Sequence, residues 1–356
     1  MRLIDTIVEK ENLFFKKLEE CKKNGYRTYI LGGGEGADNI ERRARGFEFA
    51  GKLVNRQFFS PNQGMECLET LLEAERSKIN IVVGFRGYKA SLLEKWRSKI
   101  EIIIDLDCFV GNYALDPNVM TYSWVSENQN KLQAVYEELA DDYSKEVFSA
   151  YINQKISMDY KYLRRVKTEP QYFEKGIMPL SEDEIFVDCG AYNGDSALAF
   201  INAIREAGIL NYKKIISFEP DPYNFVQMCN RKIPNHICIN KGTSDHQDKY
   251  KFAIMGTSSG ISDLGEVTIE TDTLDNMIAE KVTLVKMDIE GAELASLRGA
   301  QDMIKRDKPK LAICIYHRKE DLWEIQNFLR ELVPQYRFYV RAYEETAREL
   351  VLYAIP

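Results

Sequence analysis

In the second half of the chain, four apolar runs end in residues able to do chemistry. The string EIFVDCGAYNGDS closes an apolar run at Asp188, and Gly190 and Gly194 then frame a tight turn into a helix. Glycine lets the backbone approach a ligand closely, and a helix N-terminus offers unpaired N–H groups. One strand–helix unit later, KIISFEPDP places Glu219 at the end of the next run. In an open α/β sheet an acid there accepts hydrogen bonds from two ribose hydroxyls. A pyrophosphate-bearing dinucleotide would need G-x-G-x-x-G, whereas Ala191 and Tyr192 crowd this turn. A nucleoside with a cationic, phosphate-free tail fits better. S-adenosylmethionine has that form, with an amine that Asp188 can help to hold.

The third run, TLVKM, leads into Asp288, Glu290, Gly291 and Glu293. An acid at that place can orient an acceptor hydroxyl or remove its proton; alternatively, Glu290 and Glu293 serve the N-terminus of the following helix. His317 ends the run LAICIYH, and a histidine with an ordinary pKa near 6.5 is the natural base at neutral pH. Asp288, Glu290 and His317 lack the spacing of a metal centre, and no metal is expected.

These residues need a scaffold that presents strand ends side by side. From Glu184 onward, strand and helix patterns alternate, and YRFYVRAYE and ELVLYAIP close the series as a β-hairpin. This predicts a seven-stranded, doubly wound sheet with a terminal antiparallel pair. Residues 1–125 predict a second α/β series: a helix over 3–23 ended by Asn24-Gly25, and strands in RTYIL, GKLVNRQFF, INIVVGF and IEIIIDL. A helix is expected to open at Ser60-Pro61. Residues 126–170, polar and rich in helix formers, predict one or two long helices as a linker.

Several strings in one order carry a resemblance. QYFEKGI, FVDCGAYNGDS, SFEPDP, TDTLD, VKMDIEGAELASLRGA and LAICIYHRKEDLWEI make residues 171–356 similar to FkbM-family methyltransferases. The resemblance implies a class I methyltransferase sheet, S-adenosylmethionine as cofactor, and O-methylation of a sugar, sugar nucleotide or glycan precursor. It places the methionyl part on VDCGAYNGD and the ribose on Glu219. It also sets Ser244 and Asp245 near adenine and folds Tyr172 over the cofactor. GTSSGIS is either an acceptor contact or a hairpin connection.

The first half resembles Rossmann-like segments found ahead of such domains. Gly32, Gly34 and Ala37 have G-x-G-x-x-A spacing, but no acid ends the next strand, and Glu35 and Asp38 would repel pyrophosphate. It is therefore expected to be a degenerate domain used for acceptor binding or homo-oligomer assembly. Arg42, Arg43 and Arg45 form either a solvated helix face or a contact for an anionic acceptor. The alternatives to methyl transfer are an NAD(P)-dependent oxidoreductase using this first half, and a non-catalytic nucleoside-binding assembly protein.

Composition bounds the rest. A chain of 356 residues with net charge −7 argues against a general nucleic-acid binder, and no apolar run can span a bilayer. Seven scattered cysteines without a C-x-x-C pair suggest reduced thiols and a cytoplasmic protein.

Overall fold

Short runs of Ile, Val, Leu and Phe bounded by glycine or polar residues form buried parallel strands, because both faces of such a sheet are covered. The computed structural model describes residues 2–44, 46–85, 90–105, 119–253, 260, 261, 265 and 267–356. Two units form, one from Asp5–Glu127 with Ala150–Arg164 and the other from Met1–Ile4, Asn128–Ser149 and Arg165–Pro356. The helical stretch 126–170 is thus divided between them. It is built of four helices, Tyr122–Glu127, Gln129–Glu137, Asp142–Ser157 and Lys161–Val166, where one or two were expected.

The smaller unit contains β1 (Thr28–Leu31), β2 (Gly51–Val54), β3 (Glu66–Cys67), β4 (Ile79–Val83) and β5 (Ile100–Ile104). They form one parallel sheet in the order β3-β2-β1-β4-β5. The expected helix over 3–23 is two, Leu3–Thr6 and Leu13–Asn24. The chain breaks between them where Asn153 Oδ1 accepts the Val8 and Glu9 N–H groups at 2.9 and 3.1 Å. Asn12 caps the second helix by accepting from Phe14 N–H, and Gly25 ends it at φ 72°. The helix expected from Ser60 begins only at Leu68. Gly64 turns the chain at φ 64°, and Glu66–Cys67 is drawn onto β2 as an edge strand.

The larger unit contains β6 (Ile185–Cys189), β7 (Lys214–Phe218), β8 (His236–Ile239), β9 (Gly242–Thr243), β10 (Asp248–Ala253), β11 (Gly260–Ile261), β12 (Val267–Asp272), β13 (Leu284–Met287), β14 (Lys310–Cys314), β15 (Arg337–Ala342) and β16 (Leu350–Ile355). Seven form the main sheet, in the order β15-β16-β14-β13-β6-β7-β8. All neighbours are parallel except that β16 runs antiparallel to both β14 and β15. Strand order reverses between β6 and β13, and a crevice opens at the carboxyl ends beside such a switch point. The remaining strands make a separate sheet, β11-β10-β12-β9. GTSSGIS lies outside the described residues except Gly260 and Ile261, which form β11.

The rings of Phe173, Phe186 and Phe200 pack with centroids 4.9 to 5.7 Å apart. They lock the helix Asp195–Glu206 onto β6, so the glycine turn between them is held at both ends. The helix expected after Asp288 is two, Glu293–Arg298 and Gln301–Asp307. At Gly299, between them, a Cβ would stand 2.0 Å from Ser244 O, so the loop after β9 packs onto bare backbone there. No helix among the described residues is long and apolar enough to cross a membrane.

Candidate active site

Asp188 and Lys286 are register partners on the adjacent parallel strands β6 and β13, so their side chains share a face. Asp188 is fully buried, and its Oδ1 lies 3.2 Å from Lys286 Nζ. Lys286 Nζ also donates to Gly190 O at 2.7 Å. Burial disfavours the ammonium, but the carboxylates of Asp188 and Asp288 outweigh it and hold Lys286 above its ordinary range. Burial raises Asp188, with Lys286 opposing. Asp188 therefore stands behind the turn, anchoring it through the lysine, and does not line the cavity below.

The turn itself is set by backbone. Gly190 has φ 80°, and a Cβ on it would lie 1.9 Å from Asp288 O, so only glycine lets the loops after β6 and β13 touch. Gly190 and Ala191 N–H donate to Phe218 O at 3.1 and 3.0 Å. Tyr192 N–H instead reaches Glu219 Oε2 at 2.7 Å, while Glu219 Oε1 accepts from Asp221 N–H at 2.8 Å. Burial pushes the Glu219 carboxyl up to about 7 against those two bonds. Asn193 faces Arg231, whose Nη2 lies 2.6 Å from its Oδ1, and Gly194 opens the helix at φ 84°.

Beside this turn lies a cavity of about 540 Å³. Of the expected residues, Tyr172, Gly190, Tyr192, Asp195, Glu219, Asp288 and Glu290 line it. Ala191, Asn193, Gly194, Ser244, Asp245 and His317 are not among the lining residues. Where Ser244 and Asp245 were expected, the wall is Lys241, Gly242 and Thr243. Ser244 packs on Gly299, and Asp245 Oδ1 pairs with His246 Nδ1 at 2.6 Å. Phe252, Ile269 and Thr271 of the four-stranded sheet add a further wall.

Asp288 follows β13. Its Oδ2 accepts from the Tyr172 hydroxyl at 3.0 Å and its Oδ1 from the Tyr316 hydroxyl at 3.1 Å. Burial works against its charge, but Lys286, His317 and the two hydroxyls prevail and hold it below the usual carboxylate range. Burial raises Glu290.

His317 lies among three carboxylates: Glu293 at 3.0 Å from Nδ1, and Glu290 and Asp288 at 3.5 and 3.6 Å from Nε2. Burial disfavours its charge, yet these acids lift it to about 9. These acids favour the imidazolium, which already holds a proton, and so weigh against the expected role as base. The three acids lie on the loop after β13 and at the start of the helix Glu293–Arg298, remote from His317 in sequence. Donor atoms of Asp288, Glu293 and His317 lie within 4.8 Å of one another; Lys286 and His317 already balance these acids, and we assign no metal to them. The sequence reading missed Lys286, Tyr316, Gln171 and Glu349, and the pairing of Lys286 with Asp188 follows from strand register alone.

The N-terminal turn is built differently. Gly34 precedes the helix Glu35–Arg43, and Ala37 is buried. A Cβ at Gly33 would fall 2.3 Å from Met65 Sδ, so a side chain packs against the turn. Lys52 on β2 pairs with Asp38 and Glu41 at 2.8 and 3.1 Å. Arg42 donates to its own helix at Asp38 O, and Arg45 lies outside the described residues.

Residues 188–340 match the family described as the methyltransferase FkbM domain. The chain is also similar to the crystal structure of methyltransferase FkbM from Methylobacillus flagellatus KT, at 23% identity and a TM-score of 0.77, covering 95% of this chain and 93% of that one. That likeness is one of fold. A putative rRNA-methylase from Clostridium thermocellum, at 10% identity and a TM-score of 0.35, covers 52% of this chain and 96% of its own, too distant to say more. No curated protein sequence matches.

Proposed function

Residues 188–340 belong to the FkbM methyltransferase family, and on that premise we propose that the protein is an S-adenosylmethionine-dependent O-methyltransferase acting on a hydroxyl of a sugar, sugar nucleotide or glycan precursor. The observation that carries this reading is one cavity lined by both Glu219, at the end of β7, and Asp288, at the end of β13. Its volume of about 540 Å³ falls in the range of small-molecule sites. Each Glu219 oxygen takes one backbone N–H, which leaves acceptor capacity for the two hydroxyls of a ribose. The lining acids Asp195, Glu219, Asp288, Glu290 and Glu349 outnumber Lys241 and Lys286, a balance that favours a cationic ligand.

When bound, S-adenosylmethionine supplies an electrophilic methyl group on a positively charged sulfur. The chain's own part is placement and charge. Glu219 and the Tyr192 turn hold the nucleoside end, and Lys286 keeps that turn fixed against β13. Asp288, held below the usual carboxylate range by Lys286, His317 and two tyrosine hydroxyls, orients the acceptor hydroxyl, with Glu290 beside it. His317 is a positioning residue whose charge holds Asp288, Glu290 and Glu293 together. Placing the reactants side by side in one cavity supplies much of the rate.

Calorimetric titration with S-adenosylmethionine, S-adenosylhomocysteine and NAD tests the reading. Binding of the first two is expected; binding of NAD alone overturns it. Mass spectrometry of a panel of sugars, sugar nucleotides and glycans after incubation then identifies the acceptor.

A further inference from the structure

Glu349 stands at the entry to β16 with φ 61° and lines the same cavity as Glu219 and Asp288. A carboxylate oxygen of Glu349, one of Asp288 and the Cys314 Sγ lie within 4.8 Å of one another. Gln171 Nε2 donates to Glu349 Oε2 and fixes the side chain. Two acids thus share one end of the cavity, and their surroundings push them apart. Lys286 and His317, together with the hydroxyls of Tyr172 and Tyr316 from which it accepts, hold Asp288 below the usual carboxylate range. Burial, then the Asp288 charge, lift Glu349 to about 7, with Glu344 adding and Gln171 and Lys286 opposing. Cys314, Tyr172 and Tyr316 complete the titratable groups that face it. When two neighbouring acids are held at different protonation states, they divide the proton chemistry between them.

We propose that Glu349 is the group that takes the proton of the acceptor hydroxyl, and that a sulfonium cation entering the cavity ionises it beforehand. The proposal rests on the methyl-transfer reading above. The balance is complete: the acceptor oxygen gains the methyl carbon and gives its proton to the Glu349 carboxylate, and the electron pair of the broken carbon–sulfur bond stays on sulfur. A carboxyl poised near neutrality suits this work, because a positive charge in the same cavity favours its ionised form. Asp288, already ionised, has no proton to release.

The test is calorimetry at pH 7 in buffers of different ionisation enthalpy, which counts protons released on binding. S-adenosylmethionine is expected to release up to about half a proton more than S-adenosylhomocysteine, whose sulfur is uncharged. Glu349→Gln should abolish that difference while both ligands still bind. Gln171→Leu removes a donor from the carboxylate, so the difference should persist and shift to higher pH. Equal release by the two ligands in the wild type, or a difference surviving in Glu349→Gln, overturns the proposal. Failure of both ligands to bind the wild type overturns the methyl-transfer reading instead.

Discussion

The molecule carries two glycine turns, each following the first strand of a doubly wound sheet, and they differ in what surrounds them. After β1, Met65 packs against the turn, the next strand ends in Val54, and Lys52 is spent on acids of the neighbouring helix. After β6, the turn borders a cavity, the next strand delivers Glu219, and Lys286 is buried beneath it. Glycine spacing shapes a turn; the acid on the next strand and the space beside it are what recommend the second turn as a site. Matched substitutions in the two turns test this difference.

The largest effect is expected at the lysines. Lys286→Met leaves the buried Asp188 carboxylate without its cation, and loss of one partner of a buried pair costs about 3–5 kcal/mol. Lys52 lies in an exposed network, so Lys52→Met should leave the melting curve unchanged. Urea melts of both variants check this. Equal losses would mean that Asp188 is relieved by some other route.

The glycines come next. Gly190→Ala forces a Cβ into Asp288 O at a positive φ, with an expected cost of about 3 kcal/mol. Gly34→Ala meets nothing within 4 Å and should cost under about 1 kcal/mol. A thermal shift of Gly34→Ala as large as that of Gly190→Ala would erase the contrast between the turns.

Glu219→Ala removes the acceptor from two backbone N–H groups and from the proposed ribose contact. Affinity for S-adenosylhomocysteine should fall about 10- to 100-fold by calorimetry. Asn55→Asp places an acid after β2, yet should confer no NAD affinity, because Met65 still packs against the turn. Appearance of NAD binding would show that the first turn lacks nothing but that acid.

What could be read from sequence follows the same physics. Buried parallel strands are near-continuous apolar runs, so the main strands were evident, and Pro220 and Gly291 marked where Glu219 and Asp288 leave them. Edge strand β3 has two residues and no such run. Lys286 was hidden because a lysine inside a strand suggests an exposed face; only the pairing of β13 with β6 shows its partner. Glu349 lies in a short hairpin connection far along the chain from Asp288, and pattern alone does not join them. Ser244 and Asp245 were displaced because Gly299 receives the backbone of their loop. β14 ends at Cys314, three residues before His317, and the charge of His317 depends on Glu290 and Glu293.

That charge separates the two units by pH. The three histidines, His236, His246 and His317, all fall in the larger unit, so no histidine titrates in the smaller one. His317 has a folded pKa lifted to about 9 from its ordinary 6.5. A raised value means the folded state holds the proton more tightly. The stabilisation is therefore complete below about pH 6.5 and is lost as pH rises through 9. Between pH 7 and 9 the wild type should lose about 1–2 kcal/mol more than His317→Gln, which has no proton to shed. Chemical denaturation of both proteins at the two pH values measures it. Parallel loss in wild type and variant would show that His317 is neutral among its three acids, and would restore it as a candidate base.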